Sequence, residues 1–173
     1  DFLKGRPMSR LIEGDVGSGK TAVAAAAAYA IIKNRPPKKD EKDKKQTFGN
    51  LQIAYMAPTE ILATQHFESF IKYFKHTGIN IGLITGSGCR KFPSKVASSS
   101  LHGGWTDISR SQLLKWVANG EIPILIGTHT LIQKSVAFKH LAMVVIDEQH
   151  RFGTLQRGKL AKKESTSWQI LPH

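Results

Sequence analysis

Apolar positions fall into short blocks, separated by segments whose apolar residues recur at helical spacing. Leu11-Ile12-Glu13 is a brief apolar run entering a Gly-rich turn. Thr21 to Lys33 (TAVAAAAAYAIIK) reads as a helix, because alanine has the highest helix propensity, and its Ala24 to Ala28 run lets that helix lie close to a sheet. Ile53 to Ala57 predicts a strand. Glu60 to Phe74 predicts a helix, with Ile61, Leu62, Phe67, Phe70, Ile71 and Phe74 on its apolar stripe. Ile79 to Thr85 is strand-like. Ser109 to Ala118 is helical, with Ser109 as its cap and Leu113, Leu114 and Val117 apolar. Ile122 to Ile126 is a strand that contains Pro123, Met143 to Ile146 is apolar throughout, and Gln169 to Leu171 opens a further strand. Continuous apolar strands between helices need cover on both faces. The pattern therefore predicts an α/β domain, with a mostly parallel sheet and helices on both faces.

Two stretches break this pattern and read as insertions on the fold, at about residues 34–50 and 87–104. In the first, residues 33–45 hold seven Lys/Arg against three acids, with Pro36-Pro37 to stop a helix, so it reads as a solvated loop. The second lies within GSGCRKFPSKVASSSLHGG, from Gly86 to Gly104. It is rich in Ser and Gly and reads as irregular and mobile, with Cys89 an inert thiol inside it. Trp105, Trp116 and Trp168 share no spacing and read as packing or loop anchors. His66, His129 and His150 lack the spacing of a metal-ligand set, and His66 is open between helix packing and a DNA contact.

Composition bounds the function without naming it. The 173 residues are 40% hydrophobic and 22% charged, near the globular average, so the expectation is one folded domain spanning residues 1–173. One cysteine excludes a disulfide framework. No apolar run approaches the ~18 residues of a membrane span, and the first ten residues lack the apolar core of a secretory signal. A membrane is therefore not expected as a partner. Lys and Arg total 25 against 13 Asp and Glu, a net charge of +12, which favours a polyanionic partner. Four of those charges, counted over residues 33–45, lie outside every motif.

Gly14-Asp15-Val16-Gly17-Ser18-Gly19-Lys20-Thr21 fits G-x-x-x-x-G-K-[ST], with a strand before it and a helix after. Glycines let successive backbone N–H groups face a phosphate at the helix N-terminus. Lys20 would reach the β- and γ-phosphates, and the Thr21 hydroxyl would ligate Mg²⁺. The second signal is Met143-Val144-Val145-Ile146-Asp147-Glu148, a buried strand that ends in two carboxylates at the ligand-binding edge of a parallel sheet. Asp147 would hold Mg²⁺ through water, and Glu148 would act as general base on the attacking water. Together they predict Mg²⁺-dependent hydrolysis of a nucleoside triphosphate. The chain contains no N-K-x-D guanine signature and no L-S-G-G-Q.

Gln149-His150 extend the acidic pair to DEQH, which resembles superfamily 2 helicases and translocases. GDVGSGKTAVAA (14–25), APTEILATQH (57–66), LITG (83–86), GTHTLIQ (127–133) and VVIDEQHRFGTLQR (144–157) resemble, in order, the RecG-type DNA branch-migration helicases. Ser18 and Gln149 favour that family over the transcription-repair coupling translocases, which remain an alternative, as does a truncated, non-catalytic nucleotide- or DNA-binding module. Thr154 and Leu155 depart from the Val and Glu common in the family.

The resemblance implies a RecA-like P-loop NTPase domain, the first of two motor domains in an ATP-dependent DNA helicase. It implies ATP on Gly14, Gly17, Ser18, Gly19, Lys20 and Thr21, with Asp147 and Glu148 completing the hydrolytic site. Thr59, in Pro58-Thr59-Glu60, would hold a DNA phosphate, and Gly127-Thr128-His129 would make a second backbone contact. Gln149, His150 and Arg151 would link nucleotide state to DNA. Implied partners are branched or forked double-stranded DNA, a second RecA-like domain with arginine fingers, and a wedge domain. The 173 residues read as stopping short of those parts, so the segment alone would barely turn ATP over. RecG-like proteins are bacterial or organellar, which implies the bacterial cytoplasm, a plastid or a mitochondrion.

Overall fold

The computed structural model describes residues 19–33, 51–94 and 104–147. Three helices, α1 (Lys20–Lys33), α2 (Glu60–Phe74) and α3 (Arg110–Ala118), surround one six-stranded sheet. Its strands are β1 (Gln52–Met56), β2 (Ile81–Ile84), β3 (Cys89–Phe92), β4 (Thr106–Ile108), β5 (Ile124–Gly127) and β6 (Leu141–Ile146). Their order is β4-β3-β2-β5-β1-β6. The β2, β5, β1 and β6 strands run parallel, while β3 and β4 pair antiparallel at one edge. The predicted strand at Leu11 to Glu13, the insertion at 34–50, Trp168 and the strand from Gln169 lie outside the described residues. Among the described residues, no helix is long and apolar enough to cross a membrane.

Strands buried on both sides divide their side chains between two helical layers. Ile53, Tyr55, Met143 and Val145 pack under α1 and α2. Ala54, Met56, Val144 and Ile146 pack toward α3. The β1–β6 ladder moves from Gln52↔Leu141 to Ile53↔Met143, so Ala142 is an extra residue, a bulge at the start of β6. Ala24, Ala25 and Ala28 are buried, and their small side chains let α1 approach the sheet as expected. The buried stripe of α2 is Ala63, Phe67, Phe70, Ile71 and Phe74, and Phe70 stacks on Phe74 at 5.7 Å. Ile61, placed on that stripe by the sequence pattern, is instead 73% exposed. Ser109 caps α3 as predicted, its hydroxyl oxygen accepting from Gln112 N at 3.3 Å.

β5 begins two residues later than its sequence pattern suggested. Glu121 N and Ile122 N both donate to Trp116 O, at 2.9 and 3.2 Å, so these residues close the end of α3. The buried Gln52 then joins the segments. Its Nε2 donates to Val117 O and Ile122 O, both at 2.9 Å. Its Oε1 accepts from Lys139 N at 2.7 Å and His140 N at 2.9 Å. One side chain thus satisfies backbone groups at the end of α3, ahead of β5 and ahead of β6.

The stretch from Gly86 to Gly104 is not irregular throughout, which corrects the sequence expectation. Residues 89–92 form β3, zipped to β2 from Ile81↔Phe92 to Ile84↔Cys89. The strand was hidden because Arg90 and Lys91 look like loop residues, yet both are held by tryptophans. The Arg90 guanidinium lies 4.2 Å from the Trp105 ring centroid, and Lys91 Nζ lies 5.7 Å from that of Trp116. Cys89 is therefore a buried strand residue, 6% exposed, and not a thiol in a mobile loop. Burial pushes its pKa up, against a smaller opposing pull from Arg110. Alkylation of the native protein, followed by peptide mass mapping, should label Cys89 at least ~10-fold more slowly than in denaturant. Equal rates would show that the β3 edge opens freely.

Candidate nucleotide and nucleic-acid site

In a parallel sheet, every strand delivers its C-terminal residue to one edge, where helix N-termini also gather. Here that edge receives Ala57-Pro58-Thr59 after β1, Thr85-Gly86-Ser87 after β2, Thr128-His129 after β5 and Asp147 after β6. Every described residue singled out for chemistry lies at this edge or at the start of α1.

The first group sits by α1 and β6. Gly19 has φ +84°, a left-handed turn into α1, and among the described residues nothing lies within 4 Å of where its Cβ would stand. The first-turn amides of a helix have no intrahelical partner, which makes this end receptive to an anion. Lys20 and Thr21 are the first two residues of α1, both half-buried. Asp147 N donates to Met56 O at 2.9 Å, carrying the β1–β6 ladder one residue past β6 and fixing where its carboxylate begins. His66 Nε2, from α2, donates to Asp147 Oδ2 at 2.8 Å. The two side chains are only 14% and 24% exposed. Beneath them lies Tyr55 of β1, its ring 4.7 Å from that of His66. Burial raises the Tyr55 pKa above its usual range and the Asp147 charge adds to this, while the Thr21 side chain facing the phenol pulls the other way. The Tyr55 phenol therefore stays neutral, within reach of both the Thr21 side chain and the Asp147 charge.

The second group sits by β1, β5 and β2. Thr59 caps α2, its hydroxyl oxygen accepting from Leu62 N at 3.3 Å, which still leaves the O–H proton to donate outward. Glu60 reaches across to the β2 loop, where its Oε1 accepts from Gly86 N at 2.7 Å. The Ser87 side chain most of all, with the Gly86 and Ser87 amides and the His129 charge, holds its carboxyl below the usual glutamate value. Ala57 N donates to Gly127 O at 2.9 Å. A Cβ on Gly127 would come within 2.5 Å of Ile84 O, so only glycine lets β5 end this close to β2. Thr128 follows, 2% exposed, its Oγ1 without a hydrogen-bond partner among the described residues. His129, the first residue of a 3-10 helix at His129–Ile132, is exposed. Of the Thr128-His129 pair, His129 faces outward.

Gly14, Gly17, Ser18, Glu148, Gln149, His150 and Arg151 fall outside the described residues. Sequence reasoning missed the Asp147 partner. His66 carried no signal linking it to a residue 81 positions away, and Tyr55 looked like one more apolar strand residue. Glu60 was read only as a helix start.

The chain's relatives agree with this geometry. A family model described as DEAD/DEAH box helicase matches residues 2–170. The chain is 40% identical to "ATP-dependent DNA helicase RecG" of Aquifex aeolicus (strain VF5), over 94% of this chain and 16% of that protein. It is 44% identical to the protein of the same name from Bacillus subtilis (strain 168), over 90% of this chain and 18% of that one. A solved structure of RecG bound to a three-way DNA junction superposes with a TM-score of 0.66 at 32% identity, covering 99% of this chain and 19% of that one. The UvsW helicase from bacteriophage T4 shares the fold, with a TM-score of 0.57 at 16% identity over 96% of this chain and 46% of that one. The chain thus spans less than a fifth of the length of these RecG relatives. It has the RecA-like helicase fold, and it belongs to the DEAD/DEAH box helicase family.

Proposed function

We propose that this chain is the first RecA-like motor domain, residues 1–173, of a RecG-type ATP-dependent DNA helicase, and that the whole protein remodels stalled forks and other branched double-stranded DNA in recombination and repair. The observation that carries the reading is the likeness to RecG over 94% of the chain. The start of α1, Asp147 at the end of β6 and the two candidate DNA segments at 58–60 and 127–129 lie along one sheet edge, which supports it.

The residues present suit ATP with Mg²⁺. Thr21 and Asp147 offer hard oxygen donors, both acting on Tyr55, and among the described residues none lies within 4 Å of a Cβ built on Gly19. Thr21 and Asp147 would hold the cation, which supplies charge neutralisation on the phosphates when bound. Lys20 would bind the β- and γ-phosphates, and Gly14, Gly17, Ser18 and Gly19 would cradle them with backbone amides. Glu148 takes the proton of the attacking water, and Gln149, His150 and Arg151 connect that step to DNA. Asp147 is oriented by His66 through Oδ2.

At the other end of the edge, Thr59 and His129 are placed to contact DNA phosphates. Such contacts position a duplex without reading its sequence. Glu60 keeps the β2 loop beside them. The second motor domain and the wedge domain belong to the remainder of the protein.

The test is the ATPase rate of the full protein on a three-way junction and on linear duplex of equal length. The junction should support a rate at least ~10-fold higher at limiting DNA, a preference of about 1.4 kcal/mol. Equal rates would contradict the assignment to branched DNA.

A further inference from the structure

We propose that His66 is the positioning residue through which α2 carries the state of the DNA-facing edge to the Asp147 carboxylate. This rests on the reading of the domain as an ATP-driven DNA motor, and it adds to the link assigned to Gln149 and His150 a second link from another part of the fold.

Two successive parts of α2, its first turn and His66, meet the two functional groups. Its first turn belongs to the DNA-facing edge, where Thr59 caps the helix and Glu60 binds Gly86 N at 2.7 Å. His66 lies six residues further on, about 9 Å along the axis at ~1.5 Å per residue. There it meets the other functional group, 2.8 Å from Asp147 Oδ2. The intervening backbone is uninterrupted α-helix. A helix packed through Phe67, Phe70 and Phe74 moves as a body, so a displacement of its first turn reaches His66 undiminished.

Asp147 is poorly placed to follow such a movement. Its backbone is held to Met56 O at 2.9 Å, at the end of a strand buried on both faces. Tyr55, in the neighbouring strand and only 3% exposed, supports the His66 ring from the sheet side. When α2 shifts, the strain therefore falls on the Nε2–Oδ2 bond. Hydrogen bonds weaken steeply beyond ~3.2 Å, so a shift of half an ångström would release or turn the carboxylate. Asp147 is the group through which the site would hold its cation, and a partner that orients a ligating carboxylate tunes the site it serves. Tyr55 is under the influence of both the Asp147 charge and the Thr21 side chain, so a reoriented Asp147 also changes the surroundings of the phenol that faces Thr21.

Linkage supplies a test that does not depend on turnover. If DNA contact alters the nucleotide site through His66, bound nucleotide must alter DNA affinity by the same factor. The experiment uses the full protein and measures binding of a fluorescent three-way junction by anisotropy, with and without a non-hydrolysable ATP analogue and Mg²⁺. The unsubstituted protein should show at least an about fivefold change in affinity on adding the analogue. His66→Phe keeps a ring on Tyr55 but removes the donor, and should bring that ratio to within twofold of one while leaving nucleotide-free affinity within twofold. His66→Gln, whose amide can donate at similar reach, should restore at least half of the ratio. A merely structural role would lower affinity in both states and leave the ratio intact. The proposal is overturned if His66→Phe keeps the original ratio, or if the unsubstituted protein binds the junction equally with and without analogue. If the unsubstituted protein neither hydrolyses ATP nor binds the junction, the motor reading itself fails. If it does both and His66→Phe changes nothing, only the role of His66 fails.

Discussion

Lys20→Ala in the full protein is expected to lower ATP turnover by about 10²–10³-fold, the cost of removing one preorganised group that stabilises developing charge. The reason is positional. Lys20 is the first residue of α1, directly after the Gly19 turn, with Thr21 beside it and Asp147 at the adjacent strand end. Among the described residues, Lys20 is the cation assigned to the β- and γ-phosphates. Its side chain is half-buried and outside the hydrophobic core, so the fold should survive. Steady-state phosphate release checks the rate, and junction binding without nucleotide checks the fold. Turnover within tenfold of the unsubstituted protein would remove the P-loop from the mechanism.

The largest effect on stability is expected from Gln52→Leu. Leucine preserves much of the volume but leaves Ile122 O, Lys139 N and His140 N without this partner, while Val117 O keeps Gly120 N at 3.1 Å. An unsatisfied buried polar group costs ~1–3 kcal/mol, and partial relaxation toward water reduces the sum. A loss of about 3–5 kcal/mol is expected, against a typical domain stability of ~5–15 kcal/mol. The thermal transition of this domain should fall by roughly 10 °C or more, at ~2–4 °C per kcal/mol for a chain of this size. A fall equivalent to less than about 1 kcal/mol would mean that the four bonds do not hold α3, β5 and β6 together.

Gln52 also shows where sequence reading stops. The α/β class, α1, α2 and α3, and the β1, β5 and β6 strands all followed from apolar runs and helix spacing, because burial on two faces writes itself directly into composition. β3 did not, since Cys89-Arg90-Lys91-Phe92 is apolar only once Trp105 and Trp116 cover the two cationic stems. β4, three residues long, was invisible for the same reason: its order comes from pairing with β3. Gln52 at the start of an apolar strand looked like a boundary, yet it is 0% exposed and fully bonded.

The site divides in the same way. Lys20, Thr21 and Asp147 were legible because phosphate and cation chemistry restricts residue type at fixed spacing. Thr59 was legible as a helix start, and its cap confirms that local role. His66 and Glu60 were not, because their partners, Asp147 and Gly86, are close only in the folded sheet. Local chemistry can be read from a motif. Partnerships across the sheet need the topology.

Even the basic charge takes a narrower meaning from this geometry. The described contacts assigned to DNA are a half-buried capping hydroxyl and an exposed histidine, and Glu60 beside them is anionic. The DNA reading therefore does not rest on net charge.

ATP-driven conversion of a model replication fork into a four-way junction tests the central claim most directly, with the full protein and its Lys20→Ala variant compared at equal DNA occupancy. The unsubstituted protein should convert the fork only with ATP and Mg²⁺, and Lys20→Ala should bind the fork equally yet convert it at least ~10²-fold more slowly. Conversion by Lys20→Ala at the rate of the unsubstituted protein, or no ATP-dependent conversion by either, would contradict the reading of this chain as the motor of a branched-DNA helicase.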